Sequence, residues 1–239
     1  MKDKIRLDKL LANSGFGTRK EIKKAVREGR VTVNGITVTD SSFHVHSGQD
    51  TVVFDGVVVE YREFVYLMLN KPAGYVSATV DPKQATVIEL VPERFRHFEL
   101  FPVGRLDKDT EGLLILTNDG KLAHELLAPK KHVPKTYFVK VNGRVSPGHG
   151  KRFAEGVILD DGYKTMPARL SIVHSGDVSE AEVTIHEGKY HQVKRMFAAL
   201  GLPVVYLKRI AMGNLSLDES LAPGDVRELS TGELTLLRP

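Results

Sequence analysis

The chain contains no cysteine and no tryptophan. Without cysteine there is no disulfide framework and no thiolate metal site, so a small disulfide-stapled secreted domain is excluded. Metal sites built from histidine and carboxylate stay open on composition alone. No run of apolar residues approaches the roughly 18 that a membrane-spanning helix needs. The first residues, Met1 to Arg6, are charged and lack the apolar centre of a signal peptide. Together these absences predict a cytoplasmic protein. There is no repeat of fixed period and no low-complexity segment, which argues against a solenoid or a disordered tract. Walker and dinucleotide-binding patterns are also missing, so no nucleotide cofactor is implied.

What is present is a 239-residue chain, long enough to bury one core or two, with a formal net charge of +4. The charge is unevenly placed. Residues 1–30 carry ten basic and four acidic side chains, and the remainder is slightly negative. A basic module on a near-neutral body suits a polyanion-binding appendage, although a solvated helix face has the same composition.

The first 60 residues read as two short helices followed by a small sheet. Leu7, Leu10 and Leu11 have helical spacing. Asn13-Ser14-Gly15-Phe16-Gly17 breaks the chain. Thr18 opens a second helix, with Glu21 completing a capping box and Ile22, Ala25 and Val26 forming the apolar stripe. Val31–Val33 and Ile36–Val38 flank Asn34-Gly35, a strong hairpin signal. A linker is expected near residues 55–63. Beyond it, 64–69 reads as a buried strand ending in a turn at Asn70–Gly74. Helices are expected over 121–128 and from Tyr190 to Leu200. Strands are expected over 136–141, 180–186 and 204–210. Strands outnumber helices and several connections are hairpins. The predicted class is therefore α+β, with a mixed, largely antiparallel sheet flanked by helices.

The most informative segment is Gly104-Arg105-Leu106-Asp107-Lys108-Asp109-Thr110-Glu111-Gly112-Leu113-Leu114. It sets an arginine and two carboxylates in a glycine-bounded loop that feeds an apolar strand. From these residues alone several readings compete. Phosphatase-type aspartates follow their strand, whereas here the strand comes after. A calcium loop would need Glu where Asn118 stands, and would line a polar loop with Leu114, Ile115 and Leu116. A glycosidase pair depends on a separation that spacing cannot give. An Arg105–Asp109 surface pair would be worth at most about 1 kcal/mol. His186 and His191 could suggest zinc, but a glycine turn separates them and no third ligand clusters nearby.

The run around Asp107 closely resembles the motif that carries the nucleophilic aspartate of pseudouridine synthases of the RsuA type. The resemblance continues through Lys71-Pro72-Ala73-Gly74-Tyr75, Lys135-Thr136-Tyr137, Glu187–Met196, Tyr206–Gly213 and Pro223–Leu229. At the other end, Arg6–Leu11, Gly15, Thr18-Arg19 and Val31–Gly35 resemble the S4 RNA-binding module. A DNA-reading helix-turn-helix competes for those two helices, but the hairpin directly after them favours the S4 module.

The resemblance implies an S4 domain over 1–60 and a synthase domain over 61–239. It implies an isomerase that converts a uridine of ribosomal RNA to pseudouridine without a cofactor or metal. It is nearest to the branch that modifies 16S small-subunit RNA, with the assembling small-subunit particle as the expected partner, and it implies a monomer. The alternatives are a synthase acting on 23S RNA or a non-catalytic RNA-binding assembly protein. By position, Asp107 is the catalytic aspartate, Tyr137 stacks on the base, and the residue after His-Gln-Val, Lys194, pairs with the aspartate. Helical geometry agrees: Lys194 lies at the edge of the stripe formed by Val193, Met196, Phe197 and Leu200, while Arg195 points away. Arg6, Lys9, Thr18, Arg19, Lys20, Lys23, Lys24 and Arg30 are the RNA-contact candidates of the S4 module. Arg105, Lys71, His191 and Arg195 are those of the body, with Lys71 at the rim of the cleft.

Overall fold

The computed structural model describes residues 4–237. They form two compact units. One holds the chain up to Val65 together with Pro92–Leu100, and the other holds Tyr66–Val91 and the chain from Phe101 onward.

In the first unit, helices Leu7–Asn13 and Arg19–Arg27 pack through Leu7, Leu10, Leu11, Ile22, Ala25 and Val26, all buried. The Thr18–Glu21 capping box is present in both directions, so the helix start is fixed by the two side chains named from sequence. A four-stranded sheet runs Ile36–Thr37, Val31–Val33, Val52–Phe54, Val57–Val58. At the hairpin, Asn34 and Gly35 have φ of 51° and 80°. Two left-handed residues in sequence are what a two-residue turn matched to strand twist requires. The segment expected as a linker contains the strand Val57–Val58.

The second unit is built on a nine-stranded sheet. Its main path is Arg169–His174, Val178–Ile185, Lys135–Asn142, Val204–Met212, Glu111–Thr117, Tyr66–Lys71 and Val226–Glu228. The pairing of Val204–Met212 with Glu111–Thr117 is parallel, and the other described pairings of this sheet are antiparallel. The α+β class with a mixed, largely antiparallel sheet holds.

Strands Tyr66–Lys71 and Glu111–Thr117 are buried along nearly their whole length. That is why they read as unbroken apolar runs rather than alternating ones. Lys71 belongs to the strand, not to the turn expected there. The parallel junction depends on Gly112: a Cβ on it would lie 2.2 Å from the Arg209 carbonyl oxygen. A side chain there would push the two central strands apart, so glycine sets how closely the charged loop meets the sheet.

The helix expected from Tyr190 to Leu200 is shorter, Gln192–Ala198. His191 is its N-cap in a left-handed conformation, φ 48°, which turns Tyr190 out of the helical path. Val193, Met196 and Phe197 are buried as the stripe requires, and Phe197 packs on Phe153 with ring centroids 4.8 Å apart. Among the described residues, no helix is long and apolar enough to cross a membrane.

Candidate active site

The loop that carries Asp107 is held from beneath by two buried side chains. The Ser77 hydroxyl donates to the Leu106 carbonyl at 2.9 Å and accepts from the Leu106 amide at 3.0 Å. The Lys71 ammonium donates to the carbonyls of Pro72, Lys108 and Thr110 at 3.0, 3.2 and 2.8 Å. The Gly74 amide adds a bond to the Lys108 carbonyl, 2.8 Å.

Lys71 is wholly buried, and burial pushes its pKa down to about 8. The expectation that Lys71 contacts RNA at the cleft rim is therefore corrected. Its three donors are already spent on two carbonyls of the Asp107 loop and that of Pro72, where no phosphate can reach.

At the surface of this clamped loop the Asp107 side chain is 29% exposed. Lys194 Nζ lies 3.2 Å from its Oδ2, and His191 Nε2 lies 3.5 Å from its Oδ1. Lys194 also donates to Asp109 Oδ1 at 2.6 Å. Burial works against the lysine's charge, but the hydrogen bond to Asp109 and the charge of Asp107 outweigh it and raise the pKa. The Asp109 carboxyl is held below the usual range, chiefly by the Lys194 hydrogen bond.

The sequence reading reached Lys194 but missed Asp109 as its second acid, having weighed Asp109 as a partner for Arg105. Asp109 stands two residues after Asp107 in a turn closed by the Thr110 amide on the Asp107 carbonyl, 3.1 Å. A single ammonium can therefore span both carboxylates.

Arg105, Asp107, Thr110, Tyr137 and His191 line one small pocket of about 80 Å³. Tyr137 is buried there, opposite Arg209 in the sheet. Arg105 is exposed. A larger open depression of about 800 Å³ lies over Phe138, Lys140, Tyr206 and Lys208. Those residues alternate with Tyr137 and Leu207 along their strands, so that depression is on the opposite face of the sheet from Asp107.

The rim segment 187–191 is fastened at its ends. Glu187 accepts from the Gln192 side-chain amide and the Met166 amide, both at 2.8 Å, and from the Tyr163 hydroxyl at 2.7 Å. Arg195 is ion-paired with Asp160 and Asp161. In this RNA-free structure Arg195, expected to face RNA, is instead engaged by these two exposed acids, 34 or more positions away in sequence.

In the first unit Arg6, Lys9, Thr18, Arg19, Lys20, Lys23, Lys24 and Arg30 are all exposed. Arg6 bonds Asp8, Arg30 bonds Asp55, Lys24 lies 3.8 Å from Glu28, and the Thr18 hydroxyl is engaged in its cap. Lys9, Arg19, Lys20 and Lys23 make no ion pair among the described residues. No three histidine or acidic side chains cluster at metal-binding distance among the described residues.

A clamped loop presenting a carboxylate between a lysine ammonium and a histidine ring, with a buried tyrosine alongside, defines a carboxylate-centred site on a mixed sheet. Comparison with known proteins gives that site its class. Residues 65–199 match the sequence model of the RNA pseudouridylate synthase family, and residues 5–51 match that of the S4 domain. The chain belongs to the RNA pseudouridine synthase family and carries an S4 domain.

It is 53% identical to the "Uncharacterized RNA pseudouridine synthase YtzG" of Bacillus subtilis, over 98% of each chain. It is 40% identical to the "Ribosomal large subunit pseudouridine synthase B" of the same organism, over 98% of this chain and 95% of the other. It is 39% identical to the "Ribosomal small subunit pseudouridine synthase A" of Escherichia coli, over 96% and 98%. A solved structure titled "Crystal structure of pseudouridylate synthase" matches with a TM-score of 0.68 and 38% identity, over 98% of this chain and 99% of that one.

Proposed function

We propose that this protein isomerises a specific uridine of ribosomal RNA to pseudouridine, with the Asp107 carboxylate as the reacting group. The observation that carries the reading is the Asp107 carboxylate with Lys194 on one oxygen and His191 beside the other, at the mouth of the pocket that Tyr137 lines.

The reaction breaks the bond from uracil N1 to ribose C1′, turns the base, and joins C5 to C1′. The C5 proton is lost and N1 gains one, so substrate and product are isomers. The chain's residues cover what this requires. Asp107 meets the sugar, either attacking C1′ or taking the proton from C2′. A primary isotope effect with deuterium at C2′ marks the second route, and its absence marks the first. Lys194 pairs with the carboxylate, since an unpaired charge in a half-dry pocket is costly. Tyr137 stacks against the base. Arg105, exposed at the pocket, takes the place of the extruded nucleotide or holds its phosphate.

The substrate in this reading is 16S RNA of the small subunit, and the protein acts as a monomer. Its support is the match with the small-subunit relative along nearly the full length of both chains, together with the sequence runs 187–196 and 206–213. The similarly close large-subunit relative makes 23S RNA the competing substrate. Pseudouridine mapping decides between them. Unmodified 16S RNA, bare and with ribosomal proteins bound, and unmodified 23S RNA are treated with the protein and read by carbodiimide-dependent reverse-transcription stops. A new stop in 16S RNA supports the proposal. A stop confined to 23S RNA moves the substrate, and silence on every RNA favours a non-catalytic binding role.

A further inference from the structure

The side chain at the pocket rim that the chemistry above leaves unused is Tyr190. Its ring is stacked on the His191 imidazole, with centroids 3.8 Å apart and planes 17° from parallel. His191 in turn stands against Asp107, its Nε2 3.5 Å from the carboxylate. Tyr190 itself is 76% exposed, among the most exposed large apolar side chains of the described residues. One face of the phenol ring is covered by the imidazole, and the other is open to solvent.

The position is built, not incidental. His191 is held at φ 48°, a left-handed conformation uncommon for a residue other than glycine. That turn swings Tyr190 off the helix that follows. The neighbouring amide of Lys189 is tied to the Gln192 side chain at 2.9 Å, and the Tyr190 carbonyl accepts from Arg195 at 3.4 Å. Both contacts fix the segment without using the tyrosine ring. Strain of this kind is retained where the surroundings over-determine it, most often at a binding site.

An enzyme that extrudes a nucleotide to reach its sugar leaves the neighbouring base without a stacking partner. A flat, exposed aromatic ring one residue from the pocket lining is the surface such a base needs. We infer that Tyr190 is a stacking platform for the nucleobase adjacent to the extruded uridine, giving a column of base, Tyr190 and His191 that ends beside Asp107. Any base has a flat π-face, so the subsite binds without reading sequence. This inference rests on the RNA substrate proposed above.

The test uses the full chain and unmodified ribosomal RNA carrying tritium at uracil C5, which is released as the C5–C1′ bond forms. Tyr190→Ala and Tyr190→Leu should raise KM roughly ten- to hundredfold, the range of a lost base–aromatic stack. The loss should fall on KM rather than kcat, and Tyr190→Phe should restore it. Leucine is the informative variant, because it keeps apolar bulk but offers no ring.

On the mapped target, an abasic residue on one side of the uridine should cost wild type the same factor and cost Tyr190→Ala nothing more. Equal KM for wild type and Tyr190→Ala, or losses from variant and abasic substrate that simply multiply, would overturn the platform. Should wild type release no tritium, the catalytic reading fails on its own. The affinity of the same variants for single-stranded RNA, read by fluorescence anisotropy, then decides the platform, and no difference between wild type and Tyr190→Ala overturns it.

Discussion

In the first unit, Lys9, Arg19, Lys20 and Lys23 stand exposed on two short helices with no acidic partner among the described residues. In the second, Lys71 and Arg209 are wholly buried, and Lys194 and Arg195 are tied to aspartates. The residue types are the same and the physics is opposite. An exposed cation with no partner offers long-range, salt-sensitive attraction to any polyanion. A buried or paired cation offers almost none of that, but it fixes geometry. Lys71 holds the Pro72 carbonyl and two carbonyls of the Asp107 loop, and Arg209 Nε donates to the Leu113 carbonyl at 2.8 Å. Net charge, only slightly positive overall, hides this division of labour.

The largest effect is expected at Lys194. Replacing it with methionine leaves Asp107 without its ammonium, and turnover should fall about a hundredfold or more while thermal unfolding shifts little. Near-normal tritium release from that variant would mean that the pair is an ordinary surface ion pair.

Lys71→Met should act in the other direction, on stability first. Three carbonyls, two of them in the Asp107 loop, lose their donor, and urea titration should show a loss of about 2–4 kcal/mol. The pH dependence has a defined sign. Burial sets the folded pKa at about 8, below the roughly 10.4 of an unfolded lysine, so between these values the unfolded chain binds more protons. Stability from this residue therefore rises as pH climbs from about 8 to about 10.5, and the variant should lack that rise.

Changing Lys9, Arg19, Lys20 and Lys23 together to alanine should make the plot of log affinity against log salt shallower by about 3, with the folding midpoint nearly unmoved. An unchanged slope would show that the exposed cations of the first unit do not meet the RNA.

The smallest effect sharpens the picture of the pocket. Thr110 Oγ1 is buried with no hydrogen-bond partner among the described residues. Thr110→Val should stabilise the RNA-free protein by about 1 kcal/mol, because it removes an unsatisfied polar group at constant shape. A destabilised variant would show that the hydroxyl is bonded after all.

The parts of this site legible in the sequence are the local ones. The loop 104–114 and the run 187–196 carry their chemistry within a dozen residues, and helical spacing alone separates Lys194 from Arg195. What stayed hidden depends on contacts distant in sequence. Lysine is almost never fully buried, so nothing in Asn70-Lys71-Pro72 announces an ammonium facing carbonyls nearly 40 positions away. The Arg195 pairs with Asp160 and Asp161 cross a similar gap. The helix start was misjudged because Tyr190 and His191 fit the helical period, and a left-handed histidine has no sequence signature comparable to glycine. Nor does anything in Pro92–Leu100 mark it as part of the first unit.

The proposed reaction stands on the carboxylate of Asp107, and the deciding measurement is wild type against Asp107→Asn, with tritium release from C5-labelled ribosomal RNA followed beside RNA affinity and thermal unfolding. The substitution keeps shape and removes the charge. Turnover should fall by about a thousandfold or more, while RNA affinity and the unfolding midpoint stay close to wild type. Turnover within about tenfold of wild type would contradict it, and the reacting group would have to be sought elsewhere in the pocket.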